Sequence, residues 1–318
     1  MENAAVIEAG PQGGAPTPGV DPVAATKDSS LARRLWRNWA VRIGGVVLVV
    51  LILVALAAPW LHTVDPTLFD AGSRDLLPGA MGEITDLDGQ TFAHKFLFGS
   101  DSFGRDIYSR VIYGTRVSLI VGLAVAALSL LFGVLLGLAA GTLRRLDGPL
   151  MRLMDGLMAI PGILIAIALV ALWRANLWTV VLAITIPEIP RVTRLVRSLV
   201  LSIREEPYVE AAISLGTSTF VIMFRHILPN TVAPLIVQGT YICASAMLTE
   251  AILSFLGLGL PADIPTWGNI MAEGRVQFNQ YPHNVFFPGI FLALTVLSVN
   301  MLGDGLRDIL DPKMSRRV

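Results

Sequence analysis

Long stretches without a charged residue dominate the pattern of this chain. Six such runs alternate with polar segments, at residues 43–61, 117–143, 156–173, 175–187, 227–249 and 284–303. A helix rises about 1.5 Å per residue, so roughly 20 residues cross the hydrocarbon core of a membrane. Five runs are long enough, and the fourth reaches the interface if residues 187–190 extend it. The pattern predicts an all-α polytopic membrane protein with six transmembrane helices.

The fourth run differs from the others because Pro187 and Pro190 each lack a backbone N–H, so we expect regular hydrogen bonding to break there. The competing interpretation of all six runs is a large soluble core of buried helices. The run 117–143 contains 27 residues without a charge, and buried helices of soluble proteins seldom have so long an uncharged stretch. The membrane interpretation is therefore favoured.

Arginine and lysine are distributed unevenly among the segments that join the runs. If the N-terminus lies inside, 17 of them are on the inner side and 7 on the outer side. Basic residues concentrate in the cytoplasmic loops of membrane proteins. We therefore expect both termini in the cytoplasm of a bacterial cell, with the loops 61–116 and 257–283 outside the cytoplasmic membrane.

Composition supports a membrane protein and excludes other classes. Hydrophobic residues make up 54% of the 318 residues and charged residues 15%, whereas about 25% are charged in soluble domains. The 24 basic and 24 acidic residues leave no net charge that would indicate a nucleic-acid partner. The single cysteine, Cys243, excludes an intramolecular disulfide. Residues 1–30 are rich in Ala, Gly and Pro and are predicted to form a disordered cytoplasmic tail.

Motifs for catalysis or nucleotide binding are missing from the sequence. A phosphate-binding loop needs a Gly-Lys pair, and none of the three lysines follows a glycine. The four histidines lack metal-ligand spacing, and no G-x-S-x-G elbow occurs. We therefore predict that the chain is not an enzyme and that it binds no cofactor or metal.

Two acidic residues, Glu188 and Glu250, lie inside or beside apolar runs. Acids within a membrane are costly and usually functional, which makes both candidates for a translocation path or a gate. The alternative is an interfacial position, with Glu188 near the inner end of the fourth helix and Glu250 near the outer end of the fifth.

The inner segment 191–229 is longer than a simple connection requires. Its arginines Arg191, Arg194 and Arg197 are explained as a cytoplasmic anchor. Proline at 207 suits the start of a helix and glycine at 216 suits its end, so a short helix outside the membrane is predicted. From these residues alone, the helix is either a structural elbow or a surface for another protein.

Three parts of this segment resemble the EAA loop of bacterial ABC importer permeases: Glu210-Ala211-Ala212, then Gly216, then Leu228-Pro229. One position departs, because His226 stands where the family has isoleucine, with Ile227 beside it. In that family the loop forms a coupling helix that docks on a cytoplasmic ATPase. The resemblance assigns this contact to Tyr208, Glu210, Ala211, Ala212, Gly216, Leu228 and Pro229.

Further segments resemble the C-type permeases of dipeptide, oligopeptide and nickel importers. They lie at residues 98–106, 108–119, 250–259, 266–268 and 300–312. The resemblance implies a type I ABC importer permease fold, with a first helix and long outer loop over 31–116, five further helices over 117–312, and a cytoplasmic end at 313–318. The EAA loop occupies roughly 206–229.

The resemblance also implies partners, namely a second homologous permease, two ABC ATPase subunits that carry ATP and Mg, and an extracytoplasmic solute-binding protein. We expect Trp267, Asn269 and Gln277 in the loop 257–283 to contact that binding protein. Dipeptide, oligopeptide, glutathione-like, opine-like and nickel-chelate importers share these motifs, so the motifs do not fix the substrate.

Two alternatives remain at this point. An ATP-independent carrier or channel would need ionisable residues at mid-membrane depth in several helices, and the uncharged runs contain none. An exporter would need longer cytoplasmic helices than the connection 143–155 allows.

Overall fold

The computed structural model describes residues 31–173 and 175–310. Two strands, β1 (Ala80–Thr85) and β2 (Thr91–Phe96), lie between the second and third helices, and a π-helical turn (Met223–Ile227) precedes the ninth. The helices are α1 (Leu31–Arg37), α2 (Trp39–Ala57), α3 (Ile107–Thr142), α4 (Arg144–Met158), α5 (Gly162–Leu172), α6 (Leu177–Arg204), α7 (Pro207–Ser214), α8 (Thr219–Ile222), α9 (Leu228–Phe255), α10 (Trp267–Gly274) and α11 (His283–Leu310). The predicted tail 1–30 and the terminal segment 313–318 lie outside the described residues.

Four helical segments are long and apolar enough to cross a membrane, at Trp39–Trp60, Ile107–Thr142, Thr219–Phe255 and His283–Leu310. A fifth crossing results if α4 and α5 are taken together, although an 85° bend separates them. Helix α6 has 28 residues and is long enough to cross, but its one glutamate and four arginines make it too charged to count as an apolar span. Over the described ranges, length and composition thus support four or five crossings, compared with the six predicted.

Two predicted runs take a different form in the structure. The run 156–173 is interrupted at residues 159–161, where Pro161 has no N–H to continue the hydrogen bonding of α4, and α5 begins anew at Gly162. The run 175–187 does not end at its prolines, since α6 continues through Pro187 and Pro190 to Arg204. Each proline removes one backbone hydrogen bond, and packing against neighbouring helices allows such helices to persist.

Glycines on α3 meet valines on α6 along one continuous contact. A Cβ atom added at Gly137 would lie 2.6 Å from the Val196 Cβ, and one added at Gly141 would lie 2.6 Å from a Val200 methyl carbon. Gly133 meets Val192 in the same way one turn earlier. Small residues four apart let two helix backbones approach closely. Because both series rise in the same direction, α3 and α6 run parallel, and these pairs fix their register.

The chain is not entirely helical, contrary to the all-α prediction. Strands β1 and β2 pair in antiparallel register, from Ala80 opposite Phe96 to Thr85 opposite Thr91. Ile84 and Phe96 are buried beneath the hairpin. The strand sequences mix glycine, charged and apolar residues without a strict alternation, so their pattern did not distinguish them from a loop.

The hairpin and the short helix α7 lie at opposite ends of the bundle, because α3 leads away from the hairpin and the parallel helix α6 ends at α7. We call residues 61–106 and 256–282 the hairpin end. We call residues 205–227, which contain α7 and α8, the elbow.

Candidate functional site

The elbow contains the short helix that the sequence predicts. Helix α7 begins with Pro207 at its first position, where the missing N–H has no intrahelical partner in any case. The preceding residue, Glu206, is extended and serves as the N-cap position. Glu210 lies in the first turn, near the positive end of the helix dipole. Val209 is fully buried and sets the face that packs on the bundle.

The end of α7 has the backbone geometry for which glycine is suited. Gly216 has a φ of +78°, in the left-handed region. Its N–H donates to the Ile213 carbonyl at 2.9 Å, and the Thr217 N–H donates to the Ala212 carbonyl at 3.1 Å. These two bonds form a Schellman motif, which stops the helix and reverses the chain. The predicted turn at Gly216 is confirmed.

A side-chain contact attaches α7 to the start of α9. The Asn230 amide donates to the Tyr208 hydroxyl at 3.2 Å and to the His226 carbonyl at 2.6 Å. The rings of Tyr208 and His226 lie 6.1 Å apart. Displacing α7 therefore acts directly on α9, the helix that begins with Leu228 and Pro229.

The π-helical turn explains why the sequence departs from the family pattern at His226. A π turn holds one residue more than an α turn. In this turn Ile227 is almost fully buried whereas His226 is half-buried. The buried apolar position is therefore taken by Ile227, one residue later than the family pattern places it.

The outer surface of the elbow is apolar and open. Leu215 is 85% exposed and Phe220 is 70% exposed, and Ile213 and Phe224 are each about half exposed. The rings of Phe220 and Phe224 are 5.0 Å apart. Exposed apolar residues that cluster in this way mark sites of protein or membrane contact.

The EAA residues contribute differently to this surface. Ala211 and Glu210 are exposed, whereas Ala212 and Leu228 are half-buried. Pro229 is exposed at the start of α9. An exposed alanine on a short helix leaves room for a close partner, and Glu210 lines a cleft beside α7 with Arg204 and Ile213.

Glu250 is held inside the bundle. Its residue is only 1% exposed, and one carboxylate oxygen accepts a 2.8 Å hydrogen bond from the Ser254 hydroxyl one turn later. The role of Glu250 in a path or gate stays a prediction.

Trp267 and Asn269 are likewise buried, which contradicts their predicted role at the outer surface. Trp267 is fully buried and its indole N–H donates to the Val111 carbonyl at 3.1 Å. The Asn269 amide donates to three carbonyls of the preceding turn, at 3.0–3.1 Å. Both side chains are used to fix α10 on the bundle. The predicted contact rested on the aromatic residues of the loop 257–283, and aromatic side chains suit a buried core as well as an interface.

Gln277, the third predicted contact, is half-buried and accepts a 3.1 Å hydrogen bond from the Ser102 hydroxyl. This bond joins the two segments of the hairpin end, residues 61–106 and residues 256–282.

A buried ion cluster reinforces the same junction. The Arg110 guanidinium lies 2.7 Å from Asp101 and 2.5 Å from Glu273, and Arg105 bonds both acids as well. Two positive and two negative charges thus balance within the cluster. Asp101, Arg105 and Arg110 lie in the segments 98–106 and 108–119, but nothing in the sequence predicts that they contact Glu273.

Glu188 is mostly buried on α6, where one of its oxygens lies 3.0 Å from the Arg191 guanidinium. The next arginine, Arg194, lies 2.6 Å from Asp155 of α4. Arg191, Arg194 and Arg197 therefore belong to the long helix α6, which continues beyond the predicted fourth run to Arg204. Their role as a cytoplasmic anchor stays a prediction. The spacing of Glu188 and Arg191, three apart on a helix, was the available signal.

Comparisons with known proteins agree with the EAA resemblance. Residues 129–316 match the family described as "Binding-protein-dependent transport system inner membrane component". Residues 30–78 match the "N-terminal TM domain of oligopeptide transport permease C".

Three relatives cover nearly the whole chain. The "Probable peptide ABC transporter permease protein y4tQ" of Sinorhizobium fredii is 48% identical, over 88% of this chain and 91% of its own. The dipeptide transport system permease protein DppC of Alkalihalophilus pseudofirmus is 41% identical, over 89% and 88%. The oligopeptide transport system permease protein OppC of Bacillus subtilis is 35% identical, over 92% and 94%.

Proposed function

The chain belongs to the family of binding-protein-dependent transport system inner membrane components, and from that premise we propose how it couples to its partners and what it carries. It is a permease subunit of an ABC transporter, a multi-pass membrane protein and not an enzyme. The proposals concern its solute, its partners, its orientation and the role of the elbow.

A peptide-like solute is the substrate class that the relatives support. The three relatives carry names that refer to peptides, dipeptides or oligopeptides. The chemistry common to these solutes is a short amide backbone with an ammonium group and a carboxylate. The permease provides a path for such a solute after a binding protein delivers it from outside.

The partners are a second homologous permease, two ABC ATPase subunits and an extracytoplasmic binding protein. The ATPases bind ATP and Mg and supply the energy, because this chain has no phosphate-binding loop of its own. Family membership favours this arrangement over the ATP-independent carrier or channel considered from the sequence.

Six crossings with both termini in the cytoplasm fit the arrangement. The bent pair α4–α5 supplies the third crossing and α6 the fourth. Leaving out the three arginines of α4 and the four of α6 leaves 10 basic residues inside and 7 outside, so the bias is smaller but still favours this orientation. The elbow then faces the cytoplasm and the hairpin end faces the binding protein, with Gln277 at the outer junction.

The observation that carries the coupling role is the open apolar surface of the elbow, on a helix with defined ends. Helix α7 follows α6 after two residues and is held to α9 through Tyr208 and Asn230. An ATPase that seats on α7 can therefore move α6 and α9 together when ATP draws the ATPases towards each other. Alternating access follows if those two helices change their tilt.

Replacing Ala211 tests the coupling role, since its side chain is exposed and an arginine there leaves the permease core untouched. We expect Ala211→Arg to insert in the membrane normally, and to lose most ATPase co-purification and most hydrolysis stimulated by loaded binding protein. The matched control is Ser202→Arg, an exposed position in the last turn of α6. Wild-type coupling in the Ala211→Arg permease would show that the elbow is only a connector.

A further inference from the structure

The register between α3 and α6 places a charged strip beside the uncharged part of α3. Val192 lies opposite Gly133, which is 10 residues before the end of the uncharged run at Leu143. Arg191 is therefore roughly 17 Å from that end, and Arg194, one turn later, is roughly 12 Å from it. The whole run 117–143 is about 40 Å long. Both arginines thus lie within the length of the uncharged run of α3, and Arg194 reaches Asp155 on the charged helix α4.

The strip consists of Glu188, Arg191 and Arg194 on α6 and Asp155 on α4. Its charges are paired, with 3.0 Å between Arg191 and Glu188 and 2.6 Å between Arg194 and Asp155. The pairs are nevertheless open, because the side chains of Arg191, Arg194 and Asp155 are 47%, 50% and 61% exposed.

Lipid cannot cover such a surface at low cost. A charged side chain at the centre of a lipid-facing helix costs about 3 kcal/mol on insertion scales. A guanidinium has five N–H donors, and Arg191 directs only one nitrogen to Glu188 in the described part of the chain. The remaining donors need water or another polar group.

We propose that this strip is open to water in the assembled transporter and forms a polar wall of the translocation path, suited to zwitterionic solutes. The strip carries two positive and two negative groups, so it repels neither end of a peptide. Its carboxylates suit an ammonium group and its guanidinium groups suit a carboxylate. This inference rests on the proposed function and adds residues to it.

Cysteine accessibility in the complete transporter, reconstituted in vesicles, tests the proposal without knowledge of the natural solute. In a Cys243→Ala background, Arg191→Cys and Arg194→Cys are each treated with an anionic and a cationic methanethiosulfonate reagent. We expect both cysteines to react with both reagents. The matched control is Leu164→Cys, an exposed apolar residue in the first turn of α5, the turn that begins with Gly162 beside Pro187 of α6. It should remain unlabelled.

The charges of the strip should determine which of the two reagents reacts faster with the cysteine. In the Arg191→Cys permease, Arg194→Gln should raise the cationic-to-anionic rate ratio about fivefold, because one positive charge some 8 Å away is lost in a largely aqueous setting. Asp155→Asn should lower the ratio by a similar factor. Arg145→Gln, at an exposed position on α4 ten residues and roughly 15 Å before Asp155, should leave it unchanged.

Two results would overturn the proposal. The first is that neither cysteine reacts, which would mean that the strip is sealed against the second permease. The second is that the rate ratio does not change with Arg194→Gln or Asp155→Asn, which would mean that the strip does not line the route of the reagents. ATPase co-purification and stimulated hydrolysis are measured on the same samples. If the transporter shows normal ATPase coupling but fails the labelling test, the proposed polar wall is rejected and the proposed function as a coupled permease is retained.

Discussion

At the hairpin end, Arg110 and Trp267 are buried and bonded to groups of the same chain. At the elbow, Leu215 and Phe220 are 85% and 70% exposed. Both ends connect the long helices of one bundle and contain short helices of similar length. Both ends also expose large apolar residues, such as Leu87 and Val276 at the hairpin end. They differ in that the hairpin end buries a paired cluster of four charges, whereas the elbow has no such cluster among its described residues.

The difference indicates which contacts form before assembly. The ion cluster pairs four charges of the same chain, so it forms with the permease alone. The elbow has a defined backbone but an uncovered apolar surface, and a partner must cover it. Substitutions at the hairpin end should therefore change the stability of the isolated chain, and substitutions at the elbow should mainly change assembly.

The largest effect is expected from breaking the ion cluster at Arg110. Removing one member of a buried charge cluster costs about 3–5 kcal/mol, because the remaining charges lose their partner. The Arg110→Ala change would leave Asp101 and Glu273 with only Arg105 between them. We expect a marked fall in the melting temperature of the purified permease in detergent and low accumulation in the membrane.

The control for this change is Arg74→Ala, an exposed arginine of the same outer region. It should alter the melting temperature little, since exposed charges contribute little to stability. Equal stability of the Arg110→Ala and Arg74→Ala permeases would contradict the view that the hairpin end is held by its own charges.

A smaller effect is expected at Gly216, where the backbone rather than packing sets the cost. An added Cβ would meet no atom within 4 Å, but the φ of +78° is unfavourable for a β-branched residue by roughly 1–2 kcal/mol. We expect Gly216→Val to fray the end of α7 and weaken ATPase retention several-fold, with an unchanged melting temperature of the permease alone. Co-purification and thermal unfolding on matched samples measure the two properties.

The comparison variant at this position is Gly216→Asn, because asparagine tolerates the left-handed region better than other non-glycine residues. It should retain most of the ATPase. If valine and asparagine behaved alike, the geometry of the turn would not be what the partner recognises.

The elbow was predictable from sequence because its signals are local. Pro207 and Gly216 mark the two ends of a helix by their own backbone preferences, and no distant residue is needed to find them. The cluster at the hairpin end could not be predicted in this way. Arg110 and Glu273 are 163 positions apart, and only the packing of α10 on α3 brings them together.

The arginines of α6 show a second limit. Arg191 and Arg194 were assigned to a cytoplasmic loop because prolines usually end helices and basic residues usually mark the inner side. Their depth follows from the contact of Gly133 with Val192, which is a property of two packed helices. The β-hairpin was missed for a related reason, since its strands lack the alternation that identifies a half-buried strand.

The smallest effect in this comparison is expected at Tyr208, which joins α7 to α9 within the chain. Tyr208→Phe removes the hydroxyl that accepts from Asn230 at 3.2 Å, but Asn230 keeps its 2.6 Å bond to the His226 carbonyl. The hydroxyl belongs to an exposed side chain, so its loss should cost less than about 1 kcal/mol. We expect unchanged ATPase retention and, at most, a twofold fall in hydrolysis stimulated by loaded binding protein, because the link that transmits motion to α9 is loosened and the docking surface is intact. Tyr208→Ala, which also removes the ring beside His226, should lower stimulation further at equal retention. A fall in retention that parallels the fall in stimulation would assign Tyr208 to the ATPase contact itself and not to the attachment of α7.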